Sequence, residues 1–416
     1  MALPSAATAS SADAAALRRA LARSGRKEQL RAAALVLPLF VFLLATFIVP
    51  IGAMLGRGIF DSEVAQILPR VTAELAHWDA RELPPDAVYA ALVADVLAAR
   101  EAGTLASAAT RLNYDVAGFR SLLFATGRRA AAEPGLAPRE LLASVDPKWN
   151  ELETWAVIRR AAGPATDFYL LAALDLRRDA TDAITGAPPE QAVFRNVLGR
   201  TLWISGFVTL VCLVLGYPVA YFIARQPPAR AAVLLFLVLL PFWTSLLVRT
   251  VAWVVLLQRE GILNNLFLSL GLVHEPIRMI FNRFAVYVAM VHVLLPFMVL
   301  PLYAVMKGIS PSYVRAAASL GATPFTAFRR VYLPQTLPGI GAGCLMVFIQ
   351  ALGYYITPAL VGGADDQMIS YFIAFYASKT VNWGMAAALS IMLLAATLAL
   401  YAVYDRMVGI DKMRLG

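Results

Sequence analysis

Few residues in this 416-residue chain stand where covalent chemistry could be done. There is no Gly-x-x-x-x-Gly-Lys-Ser/Thr run to cradle a phosphate, no Gly-x-Ser-x-Gly elbow and no His-Glu-x-x-His helix. His77, His274 and His292 are scattered without ligand spacing, and Cys212 and Cys344 both lie in apolar stretches. Neither a metal site nor a disulfide framework follows from them. The remaining polar side chains suit contact rather than catalysis. Arg249 falls deep inside an apolar run, where a guanidinium is costly and must face a cavity or a polar partner. A pathway or gate role and a structural interhelical contact both fit it. Tyr354 and Tyr355 sit at the external end of the fifth apolar run and Trp243 lies within the third, and all three suit either a solute path or an aromatic belt. No acidic residue lies deep inside an apolar run; Asp405 falls in the last turn of the sixth. Asp365, Asp366, Glu260 and Glu275 fall between runs, where solvated charge is the plain reading and contact with an external protein the sharper one.

The most specific stretch is 310–334. Ser310 followed by Pro311 is a good helix start, with a capping hydroxyl and proline at the first helical position. Ala316, Ala317 and Ala318 make helix with little bulk, and Gly321 can close it in a left-handed conformation. A second short helix is expected from Pro324, stopping near Pro334. Small side chains let another surface approach closely, while Tyr313, Leu320 and Phe325 can insert into a cleft, as a helix-in-groove contact requires. A loop lying on the membrane surface is the plainer alternative.

The elements that position these residues follow from composition. The chain is 60% hydrophobic and only 15% charged, with mean hydropathy +0.67, which excludes an ordinary soluble enzyme and general disorder. Its net charge of +9 is unevenly spread: residues 57–195 hold 15 basic and 19 acidic side chains, and the excess of positive charge flanks apolar runs elsewhere. That distribution marks a membrane protein rather than one that binds nucleic acid. About twenty apolar residues cross a bilayer as a helix, and six segments qualify: 33–55, 197–224, 231–257, 284–306, 338–357 and 385–408. The fifth is the weakest, being interrupted by Gly339, Gly341, Gly343 and Gly353. Arg18, Arg19, Arg23, Arg26, Lys27 and Arg31 place the N-terminus in the cytoplasm and the first span reads as an uncleaved anchor. The basic loops 225–230 and 307–335 and the tail then share that side. Expected domains are a cytoplasmic segment 1–32, a first span 33–56, an external helical insertion 57–195, a five-helix core 196–408 and a cytoplasmic tail 409–416.

The spacing of Ala316, Ala317, Gly321, Val331, Leu333 and Pro334 resembles the EAA loop of type I ABC importer permeases, with Arg315 where those proteins usually carry glutamate. Other segments resemble the spermidine/putrescine branch: Asn196 to Leu202, Gly216 to Tyr221, Pro241 to Ser245 with Val248 to Thr250, Gly261 to Asn264 and Pro358 to Gly363. The likeness covers roughly residues 30–56 and 194–410, not the insertion. It implies an all-α inner-membrane permease of six transmembrane helices, with the large helical periplasmic insertion added between the first and second spans. Arg315, Ala316, Ala317, Gly321 and Pro334 then serve ATPase coupling. Arg249, Trp243, Tyr354 and Tyr355 are pathway or gate candidates. The partners implied are a homodimeric ABC ATPase holding ATP and Mg, a second homologous permease, a periplasmic solute-binding protein and the lipid bilayer. The cargo implied is a small solute, polyamine first, moved by alternating access with no cofactor in this chain. The rival reading is a membrane receptor or sensor with an external ligand-binding domain. A secondary transporter is weakened by the lack of intramembrane carboxylates.

Overall fold

The computed structural model describes residues 33–408. The basic segment 1–32, on which the expected orientation rests, and the tail 409–416 lie outside the described residues. Five helices among the described residues are long and apolar enough to cross a membrane: Ala33–Gly56, Phe194–Ala224, Arg283–Gly308, Pro324–Leu352 and Trp383–Arg406. The first forms a unit of its own, and the described residues from Arg57 onward a second.

The expected third span, 231–257, is not one helix. Pro228–Trp243 and Leu246–Ser269 meet at a bend of 93°. Pro241 supplies no backbone N–H, and Thr244 and Ser245 adopt extended backbone, so the ladder cannot pass through. The fifth span also differs from expectation. The helix that begins at Pro324 does not stop near Pro334 but runs on to Leu352. A π-turn at Phe328–Tyr332, where the Leu333 N–H reaches the Phe328 carbonyl, absorbs the prolines that follow. The helix ends before Gly353, so Tyr354 lies beyond it in the gap before a short helix, Ile356–Val361. A further apolar helix, Ile369–Ser378, was not foreseen.

Three of the fifth-span glycines prove to be contact points. A Cβ on Gly339 would lie 3.0 Å from Val305, and one on Gly343 would lie 2.7 Å from the Met298 sulfur, both on the fourth span. One on Gly341 would meet the Tyr404 hydroxyl of the sixth span at 2.6 Å. Close backbone approach through small residues is how helices associate where lipid is as apolar as leucine.

Residues 57–195 are helical as expected, except for a two-stranded antiparallel hairpin, Leu176–Arg178 with Ile184–Gly186. In the helix Asp86–Glu101, Val88, Leu92, Val96 and Ala99 recur at four and three residues and are buried. The core centres on Trp149 and Trp155, whose ring centroids are 5.1 Å apart. Their indole N–H groups donate to the Thr126 hydroxyl (3.1 Å) and the Trp149 carbonyl (2.9 Å). The base of this region is closed: the Asp61 N–H donates to the Pro164 carbonyl (3.1 Å) and the Thr166 N–H to the Ile59 carbonyl (2.7 Å).

The expected boundary at residue 195 cuts through a continuous core. Tyr169 and Ala173 of the helix Phe168–Ala173 share one buried cluster with Phe194, Val197, Met385 and Leu389 of the second and sixth spans. The Tyr169 ring lies so close against Gly384 that no Cβ fits there. Asp175, buried and in left-handed backbone (φ 55), accepts hydrogen bonds from the N–H groups of Phe194 (2.9 Å) and Arg195 (2.8 Å). It thereby caps the second span from the neighbouring region.

Candidate functional site

The stretch 310–334 folds as a helix, a tight turn and a second helix. The Ser310 hydroxyl accepts from the Ser312 N–H at 3.3 Å, and Pro311 opens the helix Pro311–Ser319. At its other end the Gly321 N–H reaches the Ala318 carbonyl and the Ala322 N–H the Ala317 carbonyl, both at 3.0 Å, with Gly321 at φ +85. These two bonds satisfy carbonyls that the helix end would otherwise leave bare, and the positive φ is why glycine stands there. Thr323 then caps the next helix at Pro324, accepting from the Thr326 N–H at 3.3 Å.

The structure brings Arg315, Ala316, Ala317 and Gly321 together on this unit. Arg315, Ala316 and Gly321 are exposed, and Ala317 is half-buried. Arg315 makes no ion pair among the described residues. Pro334 is exposed but sits within the continuing fifth span, past the π-turn. Leu320 is 90% exposed, Phe325 71% and Tyr313 54%, so three large apolar side chains crown the turn uncovered.

The unit is fastened behind by aromatic side chains that sequence reading had not linked to it. Phe328 stacks on Tyr332 at 5.9 Å, and the Tyr221 ring of the second span meets both edge-on at 5.8 and 5.3 Å. Tyr217 contacts Phe328 at 6.2 Å, and the Arg225 guanidinium lies 3.9 Å over the Tyr221 ring. Tyr217 and Tyr221 are one helical turn apart and so share a face, which was a readable signal.

The second group surrounds the break in the third span. Arg249, buried, turns back on it: its Nη2 donates to the Thr244 carbonyl (2.9 Å) and to the Pro241 carbonyl, and its Nε to the Thr244 hydroxyl (3.3 Å). The carbonyls left at the break between the two helices are thus satisfied by a side chain from the second of them. Near it Thr250 pairs with Thr357 (3.2 Å), and the Trp253 indole N–H donates to His292 Nδ1 (3.0 Å). These hydroxyl and imidazole contacts were missed, because single threonines carry no sequence signature. Trp243 is 80% exposed and Tyr355 is exposed, whereas Tyr354 packs against the main core. No hydrogen bond joins these three to Arg249 among the described residues.

Asp366 departs from the solvated-loop reading. It is buried, pairs with Arg283 at 2.9 Å and accepts from the Gly363 N–H at 3.2 Å. At the base of 57–195, Arg111 is buried between Asp61 and Asp115 (2.7 Å), with its guanidinium 4.8 and 4.9 Å from the rings of Phe168 and Tyr169. Burial works against that guanidinium's charge, but Asp115, Tyr169 and Asp61 outweigh it and hold the proton more tightly than usual. Burial raises the Tyr169 hydroxyl, which donates to Asp61 at 3.1 Å and stays protonated.

Among the described residues no group of three or more histidine, cysteine, aspartate or glutamate side chains is arranged to hold a metal. Residues 213–410 match the family model described as binding-protein-dependent transport system inner membrane component. The chain is 39% identical over 214 residues to the spermidine/putrescine transport system permease protein PotB of Haemophilus influenzae, covering 51% of this chain and 75% of that one. PotB of Escherichia coli K12 is likewise 39% identical over 214 residues, covering 51% of this chain and 78% of the relative. A solved bacterial alginate ABC transporter, in complex with an alginate pentasaccharide-bound periplasmic protein, is similar at 19% identity. It has a TM-score of 0.44 and covers 52% of this chain and 78% of the solved one.

Proposed function

The chain belongs to the family of binding-protein-dependent transport system inner membrane components, and from that premise we propose the assembly and cycle it serves. As a member it is a multi-pass inner-membrane permease subunit of an ABC importer. It is not itself catalytic, and ATP hydrolysis belongs to a separate subunit. In our reading a homodimeric ATPase, holding ATP and Mg, docks on the unit at 310–327. A second permease, homologous or a copy, completes the pathway. A periplasmic solute-binding protein delivers the cargo. Both termini and the docking unit then face the cytoplasm, and 57–195 faces the periplasm.

The observation that carries this reading is the exposed crown of Leu320, Phe325 and Tyr313 on a fully capped helix-turn-helix. An apolar set held rigidly and left uncovered by its own chain is suited to a groove on another protein. Arg315 and Ala316 flank that contact. When the ATPase dimer closes on ATP, the unit moves with it. The aromatic cluster passes the motion to the second span, and the unbroken helix Pro324–Leu352 passes it to the fifth. The helices then open outward, and hydrolysis restores the inward-facing state. Arg249, holding the broken third span, with Trp243, Tyr354 and Tyr355 nearby in sequence to the two breaks, borders the pathway. Polyamines are the first solutes to test, since the relatives named above are spermidine/putrescine permeases.

Replacing Gly321 with Trp tests the docking. A side chain at φ +85 costs about 1–2 kcal/mol locally, which does not unfold a membrane protein, and it puts bulk on the contact face. We expect uptake and binding-protein-stimulated ATP hydrolysis to fall at least about tenfold, while membrane insertion is normal. Unchanged uptake would falsify the assignment. Uptake of labelled putrescine and spermidine into cells stripped of their own importers tests the cargo, and absence of uptake with the complete assembly present rejects polyamines.

A further inference from the structure

We propose that residues 57–195 are a rigid strut that moves as one body with the second and sixth spans, so that a push applied to it reaches the ATPase-docking unit through the second span. This rests on the importer reading above. The fastenings at its base are of three independent kinds. Asp175 holds the first two N–H groups of the second span with both carboxylate oxygens. Tyr169 lies flat against the Gly384 backbone at the start of the sixth span. Tyr169 and Ala173 share one buried cluster with Phe194 and Val197 of the second span and Met385 and Leu389 of the sixth.

A hinge needs a stretch of chain that crosses the joint with few contacts. Here the crossing chain is pinned on both sides. The segments 59–61 and 164–166 are bonded to each other, and Arg111 ties Asp61 to Asp115 while Tyr169 bonds Asp61. The far end of the second span is equally committed, because Tyr217 and Tyr221 hold Phe328 and Tyr332 behind the docking unit. One helix of 31 residues, Phe194–Ala224, therefore has its first turn capped by the strut and its last turns locked to the docking unit.

The joint borders a cleft of about 400 Å³ lined by Ser107 from the strut and Trp383 from the sixth span, both exposed. That places two reporter positions across the joint within reach of a reagent. The test uses the full assembly in nanodiscs, with Cys212→Ala and Cys344→Ala to remove the native thiols and Ser107→Cys with Trp383→Cys across the joint. A short bismaleimide bridges the new thiols, and the bridge is read by the mass of the joined peptides. A rigid joint predicts equal bridging in nucleotide-free and ATP-trapped assemblies, and import after bridging within about twofold of the unbridged rate. Bridging in one state only, failure to bridge in either, or a loss of import of about tenfold or more on bridging overturns the strut. The bridging yield needs no transport to be read. If the unbridged assembly imports nothing, the importer reading fails, while the comparison of nucleotide states still judges the joint.

Discussion

Residues 57–195 and the membrane core are built for different solvents, and the same chain shows both sets of rules. In 57–195 the large apolar side chains, led by Trp149 and Trp155, are wholly buried, and buried charge such as Arg111 is matched by carboxylates. Removal of apolar surface from water drives that packing. In the spans the outward surface is itself apolar, at Trp203, Val214, Leu237 and Leu398 among others. Their interior is apolar too, and what it adds is close contact at glycine backbones and hydroxyls that bond within their own helix, as Thr201 does to the Val197 carbonyl and Thr209 to the Ser205 carbonyl. Hydrophobicity sorts residues in the first region, whereas shape and local polar satisfaction do so in the second.

That contrast can be broken most sharply at Arg111. Arg111→Ala leaves Asp61 and Asp115 facing each other without their cation, and should destabilise 57–195 by about 3–5 kcal/mol. Hydrogen exchange should rise across that region and stay unchanged in the fourth and fifth spans. Uniform loosening of both would show that they do not fold by separate rules. Next, Gly343→Leu drives a side chain into Met298 and should cost about 1–3 kcal/mol or more of thermal stability in detergent. Gly199→Leu, with open space around it, serves as the neutral comparison. Equal loss at both sites would remove close packing as the reason for the fifth-span glycines. Thr250→Val, which breaks the hydroxyl pair with Thr357, should cost only about 0.6 kcal/mol, the usual value for such bonds between membrane helices. The smallest effect is expected at the half-exposed Arg129–Glu133 pair. Glu133→Gln there should change stability by about 0.3–0.5 kcal/mol, and high salt should erase the difference.

What was legible in the sequence depended on whether a feature had a period or a pattern of residue types. Apolar runs located the first, second, fourth and sixth spans to within a few residues, because hydropathy needs only composition. Ser310, Pro311 and Gly321 announced the ends of a helix, because capping uses a small set of residue types. Pro241 and Pro334 look alike in sequence and act oppositely. The first breaks a span at Thr244 and Ser245, while the second is carried through by a π-turn six residues earlier in origin, at Phe328. Only the surrounding contacts decide which outcome holds. The tertiary partnerships were not legible at all. Asp175 capping Phe194, Tyr169 lying on Gly384 and Arg249 bonding Pro241 join residues whose pairing has no local signal. The hairpin at Leu176–Arg178 was hidden for another reason, since three-residue strands are too short for alternation to stand out.

The pairing of residues 59–61 with 164–166 has a genetic consequence. Two positions about a hundred residues apart in sequence lie one hydrogen bond apart in space, so the chain enters and leaves the helical body between them at one point. A stretch so attached can be gained or lost by one in-frame event without lengthening the path of the flanking chain, and joints of this kind are where domain insertion is tolerated. Tyr169 and Asp175 lie outside that graft, on the side that stays with the spans. Excising 62–163 across a short linker should therefore leave a chain that still inserts and still caps its second span. The graft and its mounting can then diverge separately within one lineage of proteins.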